Sequence, residues 1–191
     1  MLGAVLAGGE SRRFGSDKAA ALLDGRTLVD RAAETLARVF AEVIVVSSRA
    51  PVSSIWPHVP DRRAGKGPLA GIEAALGFAS DHGYEGAFVL ACDLPLVEVG
   101  TVRSVLDTLG DRLAAAPARD ADRGWEPLCA AYRIECLPMV SAALDRGELA
   151  AHAVLDAVDA VRAPAHARAL LNVNTPTDRA RASAVLEDGA G

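Results

Sequence analysis

Short apolar runs alternate along this chain with stretches in which apolar residues recur every three or four positions. That is how a parallel sheet covered by helices appears in sequence. Leu2 to Leu6 and Ala87-Phe88-Val89-Leu90-Ala91 are continuously apolar, as strands buried on both faces must be. A further strand is expected over 42–47. Ahead of it, Leu23-Asp24-Gly25-Arg26 supplies a turn, and Thr27 with Asp30 has the spacing of a capping box. Leu28, Ala32, Leu36 and Val39 then fall on one helical face. Pro68 suits the first turn of another helix, whose buried stripe is Leu69, Ile72, Leu76 and Ala79. The second half is less regular. It predicts helices over 97–109, 136–144 and 154–161, strands over 113–116, 128–132 and 170–174, and a terminal helix. Right-handed crossovers place the loops that follow the strands along one edge of the sheet, so function is expected at 7–18, 47–50 and 92–95.

The segment that leaves the first strand is Leu6-Ala7-Gly8-Gly9-Glu10-Ser11-Arg12-Arg13-Phe14-Gly15-Ser16-Asp17-Lys18. It reads as an anion cradle. Glycines at 8, 9 and 15 let backbone N–H groups converge on phosphate oxygens, and Arg12, Arg13 and Lys18 add cations. The chain has only two lysines, Lys18 and Lys66, and both lie in glycine-containing loops. A Walker loop does not fit, because Ser16 and Asp17 separate Gly15 from Lys18; the G-x-G-x-x-G fingerprint is absent too. The bland alternative is a glycine-rich turn with no ligand.

Other residues are placed for chemistry at the ends of predicted elements. Asp93 follows the buried strand in Ala91-Cys92-Asp93-Leu94-Pro95, where a carboxylate can hold Mg²⁺ beside phosphates from the first loop, or simply cap a turn. In the segment from Asp61 to Gly71, Arg62, Arg63 and Lys66 can make a second anion contact or remain solvated. Asp61 can instead accept from a base's ring N–H and exocyclic amine. Asn172 and Asn174 are two apart and face the same way on an extended segment, either toward a ligand or in Asx turns before Pro176. Cys92 reads as a small core residue rather than a nucleophile. The four histidines show no ligand spacing.

Composition narrows the partners. With 191 residues the chain can bury one substantial core, so one domain is expected over 1–191. A net charge of −5 argues against a nucleic-acid partner, whereas local clusters of arginine and lysine suit a small polyanion. The three cysteines have no C-x-x-C spacing, which points to neither a disulfide framework nor zinc. The apolar start lacks a basic leader and a cleavage site, and no run reaches the roughly 18 apolar residues of a membrane span. A soluble, cytoplasmic protein with no membrane partner is the expectation.

Taken in order, Leu6-Ala7-Gly8-Gly9 through Asp17-Lys18, Gly67-Pro68-Leu69-Ala70-Gly71, Cys92-Asp93-Leu94-Pro95, Glu126-Pro127-Leu128 and Asn172-Val173-Asn174-Thr175-Pro176 resemble the molybdenum cofactor guanylyltransferase (MobA) family. The opening motif alone marks the wider nucleotidyltransferase group; its combination with the closing Asn-Val-Asn-Thr-Pro is more specific. The resemblance implies an α/β chain with a three-layer α/β/α, Rossmann-like nucleotide-binding fold and a mainly parallel central sheet. It implies a nucleotide-binding half over about 1–110 and an acceptor-binding half over about 111–186. GTP and molybdopterin would be the substrates and Mg²⁺ the cofactor, with GMP passing to the terminal phosphate of molybdopterin and pyrophosphate leaving. Lys18 and Asp93 would be catalytic, Asp93 also holding the metal. Leu6, Ala7, Gly8, Gly9, Arg13, Lys18, Ser48, Asp61 and Asp93 would bind the nucleotide, and Asn172 and Asn174 the acceptor. Transient docking to molybdoenzymes or cofactor-delivery proteins would follow.

Two positions depart from the family's habit. Ser47-Ser48 stands where asparagine is common, and Gly147-Glu148 lacks the basic residue that often follows that glycine. A molybdopterin cytidylyltransferase, or another small-phosphate nucleotidyltransferase, is the nearest rival. A non-catalytic carrier of nucleotide or cofactor is the rival of a different class. Lys18 and Asp93 together favour an enzyme, since a carrier has little need of a metal and lysine pair at a triphosphate.

Overall fold

The computed structural model describes residues 1–7, 21–48, 55–61, 63, 65–120 and 123–188. Its elements, in chain order, are β1 (Leu2–Leu6), a small hairpin of β2 (Leu22–Leu23) and β3 (Arg26–Thr27), α1 (Leu28–Ala37), β4 (Val43–Ser47), β5 (His58–Pro60), α2 (Pro68–Asp81) and β6 (Gly86–Ala91). The second half adds α3 (Val99–Leu109), β7 (Ala114–Asp120), β8 (Arg123–Trp125), β9 (Cys129–Arg133), α4 (Leu137–Asp145), α5 (Ala151–Ala157), β10 (Val161–Ala163) and α6 (Pro176–Asp188).

The sheet runs in the order β10-β7-β9-β6-β1-β4-β5, with β8 paired to β7. β5, β4, β1 and β6 are mutually parallel, as are β7 and β10, while β9 runs antiparallel to both β6 and β7. The result is a mixed, mostly parallel sheet. Strand alternation divides the core between its two faces. Val5, Val45, Phe88 and Leu90 pack with α1, α3 and α6; Ala4, Leu6, Ile44, Val46 and Val89 pack with α2, α4 and α5. Helices therefore cover both faces, which gives the expected three layers.

Local chemistry explains most boundaries. Asp24 and Gly25 both take positive φ, 50° and 77°, so a two-residue turn closes the β2–β3 hairpin. The Thr27 hydroxyl accepts from the Asp30 N–H at 3.0 Å and donates to the Asp30 carboxylate at 2.6 Å, starting α1. Leu28, Ala32 and Leu36 are buried beneath that helix, and Leu69, Ile72, Leu76 and Ala79 beneath α2, as the spacing predicts.

The later part corrects the sequence reading in two places. The helix expected over 154–161 ends at Ala157, and Val161 instead begins β10, an edge strand parallel to β7. The segment 170–174 is not a strand: a 3-10 turn covers Ala167–Leu170, and the chain then passes the sheet without joining it. No helix among the described residues is long and apolar enough to cross a membrane.

Candidate active site

Because β5, β4, β1 and β6 are parallel neighbours, their carboxyl ends emerge along one edge. Backbone bonds continue the ladder just past the strands. The Ala7 N–H donates to the Val46 carbonyl at 2.9 Å, that of Asp61 to the Ser47 carbonyl at 3.1 Å, and that of Cys92 to the Leu6 carbonyl at 3.1 Å. Asp61, Ser48, Ala7 and Asp93 thus stand in a row, with Asp61 three strands away from Asp93. At the spacing of neighbouring strands that is about 14 Å, room for an elongated ligand with chemically different ends.

The strand ends carry these residues at different depths. Leu6 is buried, Ala7, Asp61 and Asp93 are half-buried, and Ser48 is exposed. Asp93 lies in a tight turn in which the Leu94 N–H donates to the Ala91 carbonyl at 3.1 Å. Cys92 beside it packs into the core, in keeping with its reading as a small apolar residue. The Ser47 hydroxyl and His58 Nε2 are 3.1 Å apart, linking β4 and β5 beneath Ser48 and Asp61.

Two segments from the second half reach the same edge. The Val173 N–H donates to the Asp93 carbonyl at 2.8 Å, which puts Asn172 and Asn174 on either side of a residue pinned to the Asp93 turn. Val173 is fully buried and anchors them. The Ala91 N–H donates to the Leu128 carbonyl at 2.8 Å, so Leu128 lies beside the end of β6, while the Glu126 N–H donates to the Pro117 carbonyl of β7 at 2.8 Å. Tyr132 closes this loop by donating its hydroxyl to the Pro127 carbonyl at 2.8 Å. Glu126 is a carboxylate only 3% exposed. Burial raises the Cys129 and Tyr132 pKa values, and the charge of Glu126 pushes both further up.

After Asn174, the chain turns into α6 through a second cap. The Asp178 carboxylate accepts from the Thr175 hydroxyl at 2.8 Å and from the Asn174 N–H at 3.1 Å, while the Asp178 N–H donates to the Thr175 hydroxyl oxygen at 3.1 Å. The Thr175 hydroxyl, and then the Asn174 N–H, hold the Asp178 pKa below its ordinary value.

The cationic cluster expected around residue 63 is corrected in part. The Arg63 guanidinium lies against Glu73 of α2 at 2.9 Å and Asp145 of α4 at 2.6 Å. The Asp145 bond, with support from Glu73, raises its pKa. Its charge is thus engaged by carboxylates rather than offered to an anion. Lys66 is exposed on the turn that follows. Gly8, Gly9, Arg13 and Lys18, together with Arg12 and Arg62, lie outside the described residues. Sequence reasoning missed the Arg63 pairing and the bond that brings Leu128 beside the end of β6. Both depend on contacts between distant segments; only Pro127, interrupting the approach to an apolar strand, marks the second locally.

Residues 3–175 match the family model of the MobA-like NTP transferase domain. A molybdenum cofactor guanylyltransferase of Desulfosudis oleivorans is 32% identical over 98% of this chain and 96% of its own length. A probable molybdenum cofactor guanylyltransferase of Opitutus terrae is 41% identical over 78% of this chain and 74% of its own. Among solved structures, molybdopterin-guanine dinucleotide biosynthesis protein A of Archaeoglobus fulgidus superposes with a TM-score of 0.79 at 24% identity, covering 98% of this chain and all of that one (100%). The 2-C-methyl-D-erythritol 4-phosphate cytidylyltransferase of Thermus thermophilus gives 0.74 at 18% identity, covering 96% and 98%. Those two superpositions establish a shared fold.

Proposed function

The chain belongs to the MobA-like NTP transferase family, and from that premise we propose that it transfers GMP from GTP to the terminal phosphate of molybdopterin. A phosphate oxygen of the acceptor attacks the α-phosphorus of GTP, and the bond from that phosphorus to the bridging oxygen of the β-phosphate breaks. Pyrophosphate leaves with the electron pair. A phosphate monoester is already an anionic nucleophile near neutral pH, so positioning and charge neutralisation carry the reaction rather than a strong base.

The observation that carries this reading is the bond from Val173 to Asp93. It joins the closing Asn172–Asn174 segment, whose asparagines are assigned to the acceptor, to the strand end assigned to the triphosphate. At the far end of the row, Asp61 and Ser48 take the guanine and its sugar. Leu6 and Ala7, with Gly8 and Gly9 that follow them in sequence, contact the nucleotide, and Arg13 and Lys18 bind its phosphates.

Among the described residues, no group of three or more His, Cys, Asp or Glu side chains converges as a metal cage. A single hard oxygen donor at a strand end fits a cation that arrives with phosphate oxygens as its other ligands. Asp93 is the residue that would hold Mg²⁺ here. When bound, the ion supplies charge neutralisation on the phosphates. Lys18 adds a second positive charge there.

Pyrophosphate release with Mg²⁺ and molybdopterin, offering GTP, CTP, ATP and UTP separately, tests the proposal. Release with GTP alone, lost in Asp93→Ala, is expected. Release with CTP instead would move the substrate to cytidylyl transfer, and silence with all four would favour a carrier.

A further inference from the structure

The turn between β5 and α2 contains Asp61, yet hydrophobic burial does little to hold it. Residues 65–68 are exposed, and Asp61 itself is only half-buried. Polar contacts must therefore set its shape. The Arg63 N–H donates to Asp61 Oδ1 at 2.8 Å, tethering one oxygen of that carboxylate. The Lys66 N–H donates to the Arg63 carbonyl at 3.0 Å and closes the turn ahead of Gly67, whose φ of 69° lets the chain swing into α2.

Arg63 is thus bonded through both backbone and side chain. Its Nε reaches Glu73 at 2.9 Å and its Nη1 reaches Asp145 at 2.6 Å. Glu73 is on the helix that follows the turn, and Asp145 ends a helix 82 residues further along the chain. Isolated exposed ion pairs contribute little, but one planar guanidinium shared by carboxylates on two helices forms a small network with fixed geometry.

We propose that Arg63 is a positioning residue for base recognition: by clamping the 61–67 turn to α2 and α4, it orients the Asp61 carboxylate toward the nucleotide base. The inference rests on the guanine reading given above. It assigns Arg63 no contact with substrate, so its effect must pass through Asp61. Loss of the clamp weakens the hold on the base's exocyclic amine.

The test compares GTP with ITP, which lacks that amine, by calorimetric binding with Mg²⁺ to the full chain. Arg63→Ala is expected to lower the preference for GTP about fivefold, equivalent to about 1 kcal/mol at 1.4 kcal/mol per tenfold. Arg63→Lys and Asp145→Asn, each keeping part of the clamp, should lose less. In the Asp61→Ala background, Arg63→Ala should cause no further loss of preference, as residues acting through one another are non-additive. Hydrogen exchange without nucleotide should quicken over 61–67 in Arg63→Ala and stay unchanged in β6. A preference within twofold of the unsubstituted protein in Arg63→Ala and Asp145→Asn overturns the proposal. So does full additivity with Asp61→Ala, or unchanged exchange over 61–67. If Arg63→Ala fails to fold, Asp145→Asn decides. Equal binding of GTP and ITP by the unsubstituted protein overturns the guanine reading itself, and shows before any substitution is made.

Discussion

The two halves of the molecule reach the same edge of the sheet by different means. In the first half, parallel β1, β4, β5 and β6 bring Ala7, Ser48, Asp61 and Asp93 there as successive strand ends. In the second, β9 carries the end of its preceding loop there by its antiparallel ladder to β6, while the irregular 171–174 segment arrives through a specific bond, from Val173 to Asp93. The strand ends of a parallel sheet are positioned collectively, by every ladder bond behind them. A passing segment is positioned by its anchors. The described strand ends are therefore held by the sheet as a whole, whereas the 171–174 segment depends on contacts that single substitutions can remove.

The largest effect should come from the first half. Asp93→Ala and Lys18→Ala should each lower turnover by about 10²-fold or more, the loss typical of one preorganised stabiliser of developing charge. Steady-state rates at saturating GTP check this. Near wild-type turnover in either variant removes that residue from the mechanism.

The seam between the halves should be nearly as sensitive in stability. A Cβ on Gly86 would sit 2.2 Å from the Tyr132 carbonyl oxygen and 2.9 Å from the Arg133 Cα, both backbone atoms of β9. Gly86→Ala should destabilise the fold by about 3 kcal/mol, the upper end of ordinary overpacking. Urea unfolding measures it, and a change below about 1 kcal/mol would mean that the β6–β9 pairing is looser than this register requires.

Within the second half the expected effects are smaller. Tyr132→Phe removes the buried donor to the Pro127 carbonyl and should cost about 1 kcal/mol. The cap of α6 should respond to acid. Thr175 and the Asn174 N–H hold Asp178 below its ordinary pKa, so its folded value lies under its unfolded one. The stabilisation is complete above the unfolded value, about pH 4, and is lost as pH falls through the folded value. Amide exchange in the first turn of α6 should lose protection in that window, and Asp178→Asn should abolish the dependence.

The same contrast explains what the sequence could reveal. Continuous apolar runs marked β1 and β6, because a strand buried on both faces leaves no polar position. The capping box at Thr27 and the proline at 68 marked helix starts, because those signals act within one turn. β5 was missed: His58–Pro60 is too short for a pattern, and its pairing to β4 is long-range. The sequence pattern runs the helix on through Val161 because three residues at a sheet edge carry no period of their own. In the candidate site, Asp93 and Asp61 were legible as charges following apolar runs or preceding glycines. The pairing of Arg63 was not, since its partners Glu73 and Asp145 lie on two separate helices.

Transfer of label from GTP carrying ³²P at the α-phosphate, incubated with molybdopterin and Mg²⁺, tests the central claim most directly. The account predicts that the label appears in a molybdopterin guanine dinucleotide while unlabelled pyrophosphate is released. Label that stays in GTP, or leaves as free GMP without joining the acceptor, would contradict it.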